Sequence, residues 1–505
     1  MATSSGIYLE LVELSGHVVA TGTWNSTLRA NCLYQCAHLA KPGHRCRLLQ
    51  GSWEITPITP LAALDLQLGT CIQVVWLSNC AADRPSRSQA FVAIKADGSV
   101  VTWGDARYGG NSSAVAPLLT EGVVQVFGNC HAFAAIKVDG SVVTWGNARY
   151  GSNYSAAAPL LTEGVVQICA NEGAFAAIKA DGSVVTWGVA RCGGNSSAVD
   201  PLLTDGVVQV CGSHSAFAFI KVDGSVVTWG DAERGGDSSA VAPLLTDGVV
   251  HVSGNEGAFA AIKADGSVVT WGNARYGGNP KTMAPLLTEG VVQICGNEGA
   301  FAAIKADGSV VTWGDAERGG DSSAVAPLLT EGVVQICANE GAFAAIKADG
   351  SVVTWGDAER GGDSSAVAPL LTEDVVQVCG SHSAFAAVKA DGSVVTWGDA
   401  KRGGDSSAVA PLLTDGVVHV SGNEGAFAAI KADGSVVTWG DARYGGNSSA
   451  AAPLLTEGVV QICGNEGAFA ATKADGSVVT WGVARCGGNS SAVAPLLTDG
   501  VVQVC

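Results

Sequence analysis

One tryptophan returns every 42 residues, ten times without an insertion or a deletion. A fixed period of this length indicates one supersecondary unit copied many times, because such a unit buries its apolar face only by stacking on its neighbours. Residues 90–505 are therefore predicted to form one array of ten units. The repeated residues are Trp103, Trp145, Trp187, Trp229, Trp271, Trp313, Trp355, Trp397, Trp439 and Trp481.

Each unit contains three short apolar runs. The first two are joined by Asp-Gly, as in AFAAIKADGSVVTWG, and this dipeptide between such runs is a strong hairpin signal. A Gly-rich loop, the segment Pro-Leu-Leu-Thr and a Val-rich third run follow. Three strands, or at most four, cannot bury both faces alone, so the array is predicted to be mainly β and of the β-propeller type. A closed ring is favoured over an open β-solenoid, because the last run, at 501–505, would complete the sheet begun by the first hairpin.

The repeated tryptophans and phenylalanines are interpreted as core residues, one large ring of each kind in every unit. The competing interpretation is a row of stacking platforms for nucleic acid. Charge argues against it, because residues 89–505 carry 22 Lys and Arg against 41 Asp and Glu. Such a surface repels phosphate backbones and anionic lipid. We therefore expect no nucleic acid or membrane partner, and a protein partner with a basic face.

The N-terminal segment differs in composition from the array. Residues 1–77 are predicted to form a small α+β domain with strand, strand, helix, strand, strand, the helix lying at 25–41. Residues 78–89 are predicted to be a linker. The first residues lack a basic region followed by an apolar one, and no apolar stretch is long enough to span a membrane. We therefore expect the protein in the cytoplasm, with the nucleus as the alternative.

Fifteen cysteines are present, and in such a compartment they are expected to stay thiols. Seven of them share one position of the repeat with Ser253 and Ser421, which indicates a small packing position. No Cys-x-x-Cys pair occurs in the array, so a zinc site is not predicted. We expect no metal and no cofactor.

Two family resemblances follow from these segments. CRLLQGSWEI followed by TPLAALDLQLGTCIQVVWL resembles ubiquitin-like domains, over residues 7–77, although no Gly-Gly tail follows Leu77. The ADGSVVTWG, Tyr-Gly-Gly, PLLTEGVVQI and Ala-Phe-Ala segments resemble the repeats of the regulator-of-chromosome-condensation family. That resemblance implies a β-propeller with a binding role. Family members include exchange factors for a small nuclear GTPase and parts of ubiquitin ligases. The period of 42 and the ten units depart from the common seven-bladed members.

Two repeat positions vary between copies, and their Glu, Arg and Tyr residues, apart from Tyr276, are the candidate partner-binding residues. The position before the Ala-Phe strand is predicted to form a rim of charge that binds a cation or a basic partner, the alternative being solvated loop charges. Its residues are Ser88, Cys130, Glu172, His214, Glu256, Glu298, Glu340, His382, Glu424 and Glu466.

The second position lies in the Gly-rich loop and alternates Tyr with Arg, residue types that are enriched in interface hot spots. It is predicted to form a contact surface, the alternative being loop packing. Its residues are Tyr108, Tyr150, Cys192, Arg234, Tyr276, Arg318, Arg360, Arg402, Tyr444 and Cys486.

No catalytic set is recognisable. The Gly-Gly loops lack the Lys-Ser/Thr of a phosphate loop, and His251 and His419 have no Ser or Cys nucleophile arranged around them. We therefore expect a non-enzymatic interaction scaffold that presents propeller loops to a protein partner. Two alternatives remain: a guanine-nucleotide exchange regulator of a small GTPase, and a ubiquitin-pathway adaptor or substrate-recognition subunit.

Overall fold

The structure is a computed structural model that describes residues 6–13, 18–26, 30, 33, 36, 45–50, 53–55, 61–64, 69–77, 88–279, 284–449 and 451–505. The chain divides into two compact units, Met1–Asn79 and Cys80–Cys505. Within these described ranges, no helix has the length and apolar character needed to cross a membrane. Of the predicted linker 78–89, only Ser88 and Gln89 lie among the described residues.

The first unit contains one mixed five-stranded sheet. Its order is β2-β1-β5-β3-β4, with β5 parallel to β1 and the other neighbours antiparallel. Leu9, Leu11, Ile72 and Val74 alternate along β1 and β5 and are buried in one core. Of the predicted helix 25–41, Leu33 and Cys36 are described as helical, and most of the segment lies outside the described residues. The elements are β1 (Gly6–Glu13), β2 (Val18–Asn25), β3 (Arg45–Gln50), β4 (Trp53–Ile55), a 3₁₀ turn (Leu61–Ala63) and β5 (Cys71–Leu77).

The array consists of ten three-stranded antiparallel sheets, as the repeats predict. We name each sheet by its tryptophan. The middle strands are β6 (Ala90–Lys95), β9 (Ala132–Lys137), β12 (Ala174–Lys179), β15 (Ala216–Lys221), β18 (Ala258–Lys263), β21 (Ala300–Lys305), β24 (Ala342–Lys347), β27 (Ala384–Lys389), β30 (Ala426–Lys431) and β33 (Ala468–Lys473). The Trp strands are β7 (Val100–Gly104), β10 (Val142–Gly146), β13 (Val184–Gly188), β16 (Val226–Gly230), β19 (Val268–Gly272), β22 (Val310–Gly314), β25 (Val352–Gly356), β28 (Val394–Gly398), β31 (Val436–Gly440) and β34 (Val478–Gly482).

The Val-rich run forms the third strand of each sheet. These strands are β8 (Val123–Gly128), β11 (Val165–Ala170), β14 (Val207–Gly212), β17 (Val249–Gly254), β20 (Val291–Gly296), β23 (Val333–Ala338), β26 (Val375–Gly380), β29 (Val417–Gly422), β32 (Val459–Gly464) and β35 (Val501–Val504).

Two 3₁₀ turns connect each Trp strand to the next third strand. The first of each pair is Ala106–Tyr108, Ala148–Tyr150, Ala190–Cys192, Ala232–Arg234, Ala274–Tyr276, Ala316–Arg318, Ala358–Arg360, Ala400–Arg402, Ala442–Tyr444 and Ala484–Cys486. The second is Ser113–Leu118, Ala158–Leu160, Asp200–Leu202, Ser239–Leu244, Ala284–Leu287, Ser323–Leu328, Ser365–Leu370, Ser407–Leu412, Ala452–Leu454 and Ala494–Leu496.

The hairpin of each sheet aligns its two aromatic rings. In the Trp355 sheet, Phe343 is the strand partner of Trp355 and their ring centroids lie 5.4 Å apart. The Asp-Gly turn closes the other end of the hairpin, where Gly350 has a φ of 77°. The strands of each sheet therefore have two ends. We call the end with the Asp-Gly turns the turn rim and the end with the Gly-rich loops the loop rim.

Each sheet combines segments from two successive repeats. The third strand of one repeat pairs with the hairpin of the next, as β23 does with β24. The last strand, β35, pairs in the same way with β6 of the first repeat. Val92 and Cys505 exchange two backbone hydrogen bonds of 3.0 and 2.9 Å. The two ends of the array thus share one sheet.

Successive sheets pack face to face. Ala300, Ala302 and Ile304 of one sheet form a single buried cluster with Phe343 and Trp355 of the next. The repeated tryptophans are only 2–4% exposed, which confirms their predicted core role. Full burial of a large apolar side chain stabilises a fold by about 2–3 kcal/mol, so each ring makes a substantial contribution.

Third strands of neighbouring sheets lie against each other through the repeated cysteine position. The Cys337 thiol donates to the Val378 carbonyl oxygen at 2.7 Å, and Cys463 donates to Val504 at 3.0 Å. Burial raises the pKa of Cys211 to about 12, which favours the unreactive thiol. The described cysteines are free thiols, and most of this position is half-buried, less deeply than a packing position predicts.

Candidate interaction rim

A buried asparagine joins the two variable positions on the loop rim. In the Trp355 sheet, Asn339 Oδ1 accepts hydrogen bonds from the backbone N–H groups of Gly341 and Ala342 at 3.0 and 2.9 Å. Its Nδ2 donates to the carbonyl oxygen of Arg360 at 2.5 Å. One side chain thus fixes both the segment that carries Glu340 and the 3₁₀ turn that carries Arg360.

The two variable positions pair with each other around the Arg-rich part of the rim. Arg360 Nη1 lies 2.8 Å from Glu340 Oε2, and Arg318 forms the same ion pair with Glu298. These two arginine side chains are about a third exposed, at 28% and 33%. In this part of the rim, the predicted Glu and Arg positions therefore form ion pairs with each other within the chain.

Two other arginines reach forward to the following sheet. Arg234 Nη1 donates to the Glu256 carbonyl oxygen at 3.0 Å and lies 3.8 Å from Glu256 Oε2. Arg402 donates to the Glu424 carbonyl oxygen, also at 3.0 Å. Because the arginine stem is long, an arginine at this repeat position contacts its own sheet, the next one, or both. Arg318 does both, since its Nη1 also donates to the Glu340 carbonyl oxygen at 3.4 Å.

His214 lies between two carboxylates. Its Nδ1 is 2.9 Å from Glu172 Oε1 and 3.2 Å from Glu256 Oε2. Burial lowers the pKa of His214, but the two carboxylates outweigh burial and raise the pKa to about 9. One imidazole and two carboxylates are also donors that a divalent cation accepts, within 4.8 Å of one another. A nitrogen in contact with both carboxylates must carry a proton, and a pKa of about 9 makes the His214 ring an imidazolium ion near pH 7.

The second rim histidine has a related setting. His382 Nδ1 lies 2.7 Å from Glu340 Oε1, so Glu340 contacts both His382 and Arg360. In both copies a serine replaces the buried asparagine of the preceding position. Ser213 and Ser381 each donate to the carbonyl oxygen of the 3₁₀ turn, at 3.1 and 3.5 Å. Each serine also accepts from one backbone N–H, that of Ala216 or Ala384 at 3.1 Å, whereas Asn339 accepts from two.

An aromatic stack occupies another part of the loop rim. His131 stacks between Tyr108 and Tyr150, with ring centroids 4.9 and 3.9 Å apart. Burial lowers the pKa of His131, so the ring is neutral near pH 7. Tyr276 and Tyr444 instead pack within the rim and are partly buried against the sheet cores.

The two ends of the array meet at Glu466. Gln89 Nε2 donates to both Glu466 carboxylate oxygens, at 2.9 and 3.0 Å. The Glu466 backbone N–H donates to the Ser88 carbonyl oxygen at 3.2 Å. This predicted contact residue thus connects the first and last sheets.

A further variable repeat position was not predicted from the sequence to be functional. Arg107, Arg149, Arg191, Arg275 and their equivalents stand one residue before the Tyr/Arg position. Arg191 Nε lies 2.8 Å from Asp231 Oδ2 of the next sheet, and Arg275 Nε lies 3.0 Å from Asp315 Oδ2. The sequence could have indicated this position, because it varies between copies and holds Glu or Lys as well as Arg.

These side chains surround a shallow pocket on the loop rim. It has a volume of about 260 Å³ and lies among the Trp145, Trp187 and Trp229 sheets. Arg149, Arg191, Cys192, His214 and Arg234 line it. Four cationic groups therefore face one depression in a chain whose net charge is −18.

The turn rim carries repeated apolar side chains that the sequence analysis also missed. The first leucine of each Pro-Leu-Leu-Thr segment is 49–57% exposed, while the second is buried. Two adjacent leucines in a short turn cannot both face the core, so the Leu-Leu pair of the sequence indicates one exposed leucine in each repeat. The exposed residues are Leu118, Leu160, Leu202, Leu244, Leu286, Leu328, Leu370, Leu412, Leu454 and Leu496.

No family model matches the chain, and no curated protein matches it. Solved structures with a similar arrangement include yeast RCC1 (Prp20) bound to Kap60, at 15% identity and a TM-score of 0.33, covering 56% of this chain and 85% of that one. Prp20p from Saccharomyces cerevisiae has 15% identity, a TM-score of 0.31 and coverages of 56% and 83%. The CRINKLY WD40 ectodomain of the Arabidopsis thaliana receptor kinase ACR4 has 17% identity, a TM-score of 0.29 and coverages of 55% and 97%.

Proposed function

We propose that the array is a non-enzymatic interaction scaffold whose sheets close into one ring and whose loop rim contacts a protein partner. Ring closure is supported by the pairing of β35 with β6. It is also supported by the Trp103 indole, which donates to the Gly487 carbonyl oxygen at 3.1 Å, as Trp145 does to Gly109 at 3.0 Å. The first sheet therefore packs on the last one through the contact used inside the array.

The observation that carries the proposal is the change of chemistry along an otherwise uniform scaffold. The cores of the sheets repeat almost without variation, while the loop rim changes from the Tyr108–His131–Tyr150 stack to the Arg318 and Arg360 ion pairs. Loops on a rigid scaffold commonly carry binding residues. Copies that keep their core and differ at the rim present distinct surfaces to a partner.

The acidic balance of the array favours a partner with a basic face. Complementary charge increases the rate of encounter and fixes the orientation of the partner. Because most rim charges already have partners within the chain, we expect the protein partner to engage Glu–Arg pairs as units, with hydrogen bonds to the partly exposed arginines. Cytoplasmic or nuclear residence belongs to this proposal.

Affinity purification from lysate, with identification of the captured proteins, tests the scaffold role. Arg360→Gln removes a rim charge, and the double variant with Arg318→Gln removes two. Lys347→Gln is the matched control, because it removes a charge of the same sign from the turn rim of the same sheet. We expect the rim variants to lose captured protein and the control to retain it. Loss of capture only in Leu328→Ser and Leu370→Ser would assign the contact to the turn rim.

The ubiquitin-like assignment of residues 1–77 remains part of the proposal. It is supported by the mixed sheet, in which the last strand lies parallel to the first at the centre. An adaptor of the ubiquitin pathway would use this unit to engage a ligase or the proteasome. Capture with the full chain and with residues 89–505 tests this role, and identical sets of captured proteins would contradict it.

Nucleotide exchange on a small GTPase is the alternative that the family resemblance suggests. A fluorescent-nucleotide release assay on the nuclear GTPase tests it directly. Acceleration of release that is lost in Arg360→Gln would replace the scaffold proposal with a catalytic one. Release at the uncatalysed rate would remove the alternative.

A further inference from the structure

Arg149 is distinguished from its equivalents by the residues around it. In this repeat position, an arginine pairs with a carboxylate in one of two places. One is the residue that caps its own 3₁₀ turn, as Asp105 does for Arg107 and Asp441 does for Arg443, both at 2.7 Å. The other is the cap residue of the next sheet, as Asp231 is for Arg191.

Both places lack a carboxylate for Arg149. Its own cap residue is Asn147, and the next sheet has Val189 at the equivalent position. The other arginines of this position, Arg275 and Arg485, reach an aspartate of the following sheet or of the first one. Among the described residues, Arg149 is the one arginine of this position without a carboxylate within ion-pair distance.

Arg149 lies on the wall of the pocket between the Trp145, Trp187 and Trp229 sheets. Its guanidinium carbon lies 5.9 Å from the ring centroid of Tyr150, which is itself stacked on His131. This contact favours one orientation of the side chain through a cation–π interaction. Val189 and Cys192 supply less polar parts of the wall.

The other charges of the pocket are compensated within the protein. Asp231 pairs with Arg191, while Glu172 and Glu256 contact His214. Arg234 also lies beside Glu256, 3.8 Å away. Four cationic groups thus meet three carboxylates, and the remaining positive charge is that of Arg149.

We propose that this pocket binds a small oxyanion, a phosphate or a carboxylate, through Arg149 with Arg191 and Arg234 beside it. A planar guanidinium offers two parallel N–H donors to either group, and such charge-assisted hydrogen bonds are among the strongest in proteins. The proposal concerns a ligand site of the chain itself and does not depend on the protein partner proposed above.

The test uses the full chain and NMR titration of arginine Nε–H signals at constant ionic strength. Inorganic phosphate and succinate are the two probes, and sodium chloride is the background salt. We expect saturable shifts of the Arg149 signal with one or both probes. Saturation by phosphate alone or by succinate alone identifies which oxyanion the site takes. Shifts that grow linearly with both probes would overturn the proposal.

Asn147→Asp is the decisive variant, because it keeps Arg149 and supplies the carboxylate that Asp105 gives to Arg107. An aspartate caps the same turn in other copies, so folding is preserved, and the thermal midpoint checks this. We expect binding to weaken roughly tenfold or more, as when a charge-assisted hydrogen bond is lost.

Asn273→Asp is the matched control, with the same cap position and the same added charge outside the pocket. It should bind like the wild type, because Arg275 already pairs with Asp315. Equal weakening by both variants would overturn the proposal in favour of a general charge effect. Unchanged binding in Asn147→Asp would also overturn it.

Discussion

The indole Nε1 of Trp355 donates a hydrogen bond of 3.1 Å to the carbonyl oxygen of Gly319, which lies in the loop of the preceding sheet. The same contact recurs with Gly361 and Trp397 at 3.0 Å. Eight of the ten repeated tryptophans make this bond, so each of them is both a core ring and a connection to the sheet before it. The indole N–H groups of Trp187 and Trp313 lack this partner. The glycine is needed because the loop carbonyl must come within reach of the indole while the backbone lies directly over Phe343.

Gly319→Ala should destabilise the array. Gly319 has a φ of 90°, and an added Cβ would lie 2.7 Å from Phe343 Cδ2. The left-handed backbone and the clash together should lower the free energy of unfolding by about 2–4 kcal/mol. The measurement is the thermal midpoint together with hydrogen exchange of the Trp355 indole.

Gly332→Ala is the control for this change. Its φ is 77°, but an added Cβ would meet only Lys347 Cε, at 3.4 Å. The cost should be that of the backbone alone, about 1–2 kcal/mol. Equal effects of the two substitutions would show that the approach to Phe343 is unimportant.

Removal of residues 501–505 should expose the middle strand of the first sheet. Val92 would lose both hydrogen bonds to Cys505, and β6 would become an open edge prone to association. We expect faster hydrogen exchange across Ala90–Lys95 and unchanged exchange across Ala300–Lys305 in the same molecule. Unchanged protection of Ala90–Lys95 would contradict pairing of the two ends.

The sheets were predictable because their signals are local. Asp349-Gly350 between two apolar runs specifies the hairpin, and the period of Trp355 specifies how the hairpins repeat. The sequence could not show that Glu340 and Arg360 pair, because their contact depends on the Asn339 hydrogen bonds across a loop. A polar residue before a loop gives no sign that it is buried.

Arg149 illustrates the same limit for the candidate pocket. Its significance depends on Asn147 and Val189, each of which is unremarkable in its own copy. In the structure, the equivalent arginines pair with the cap residue of their own sheet or of the next one. This pairing shows that Asn147 and Val189 are the two residues that leave Arg149 without a carboxylate. Side-chain reach across sheets is a property of the packed structure and not of the period.

Substitution of His214 by Gln should change how stability depends on pH. The folded-state pKa of about 9 lies above the ordinary value of 6.5, so protonation stabilises the folded protein. That contribution is fully present below pH 6.5 and is lost as the pH rises to about 9. The free energy of unfolding of the wild type should exceed that of His214→Gln by at most about 3 kcal/mol below pH 6.5. The difference should shrink between pH 6.5 and about 9 and be absent at higher pH.

His131→Gln should change the pH dependence of stability in the opposite direction, and it serves as the control. Burial lowers the pKa of His131, so its protonation opposes folding and its contribution is lost as the pH falls below 6.5. Denaturant unfolding from pH 5 to 10 measures both differences. Parallel pH profiles for the two variants would contradict the assignment of His214 as an imidazolium between Glu172 and Glu256.

Asn339→Ala should loosen the loop rim more than Asn339→Ser. Alanine leaves the Gly341 and Ala342 N–H groups and the Arg360 carbonyl oxygen without their side-chain partner, at a cost of about 2–4 kcal/mol. Serine should cost less than half of that, because Ser213 and Ser381 keep the contact with the turn in other sheets. Hydrogen exchange of the Gly341 and Ala342 amides measures the local effect. If alanine and serine loosened these amides equally, the asparagine would not be what positions Glu340 beside Arg360.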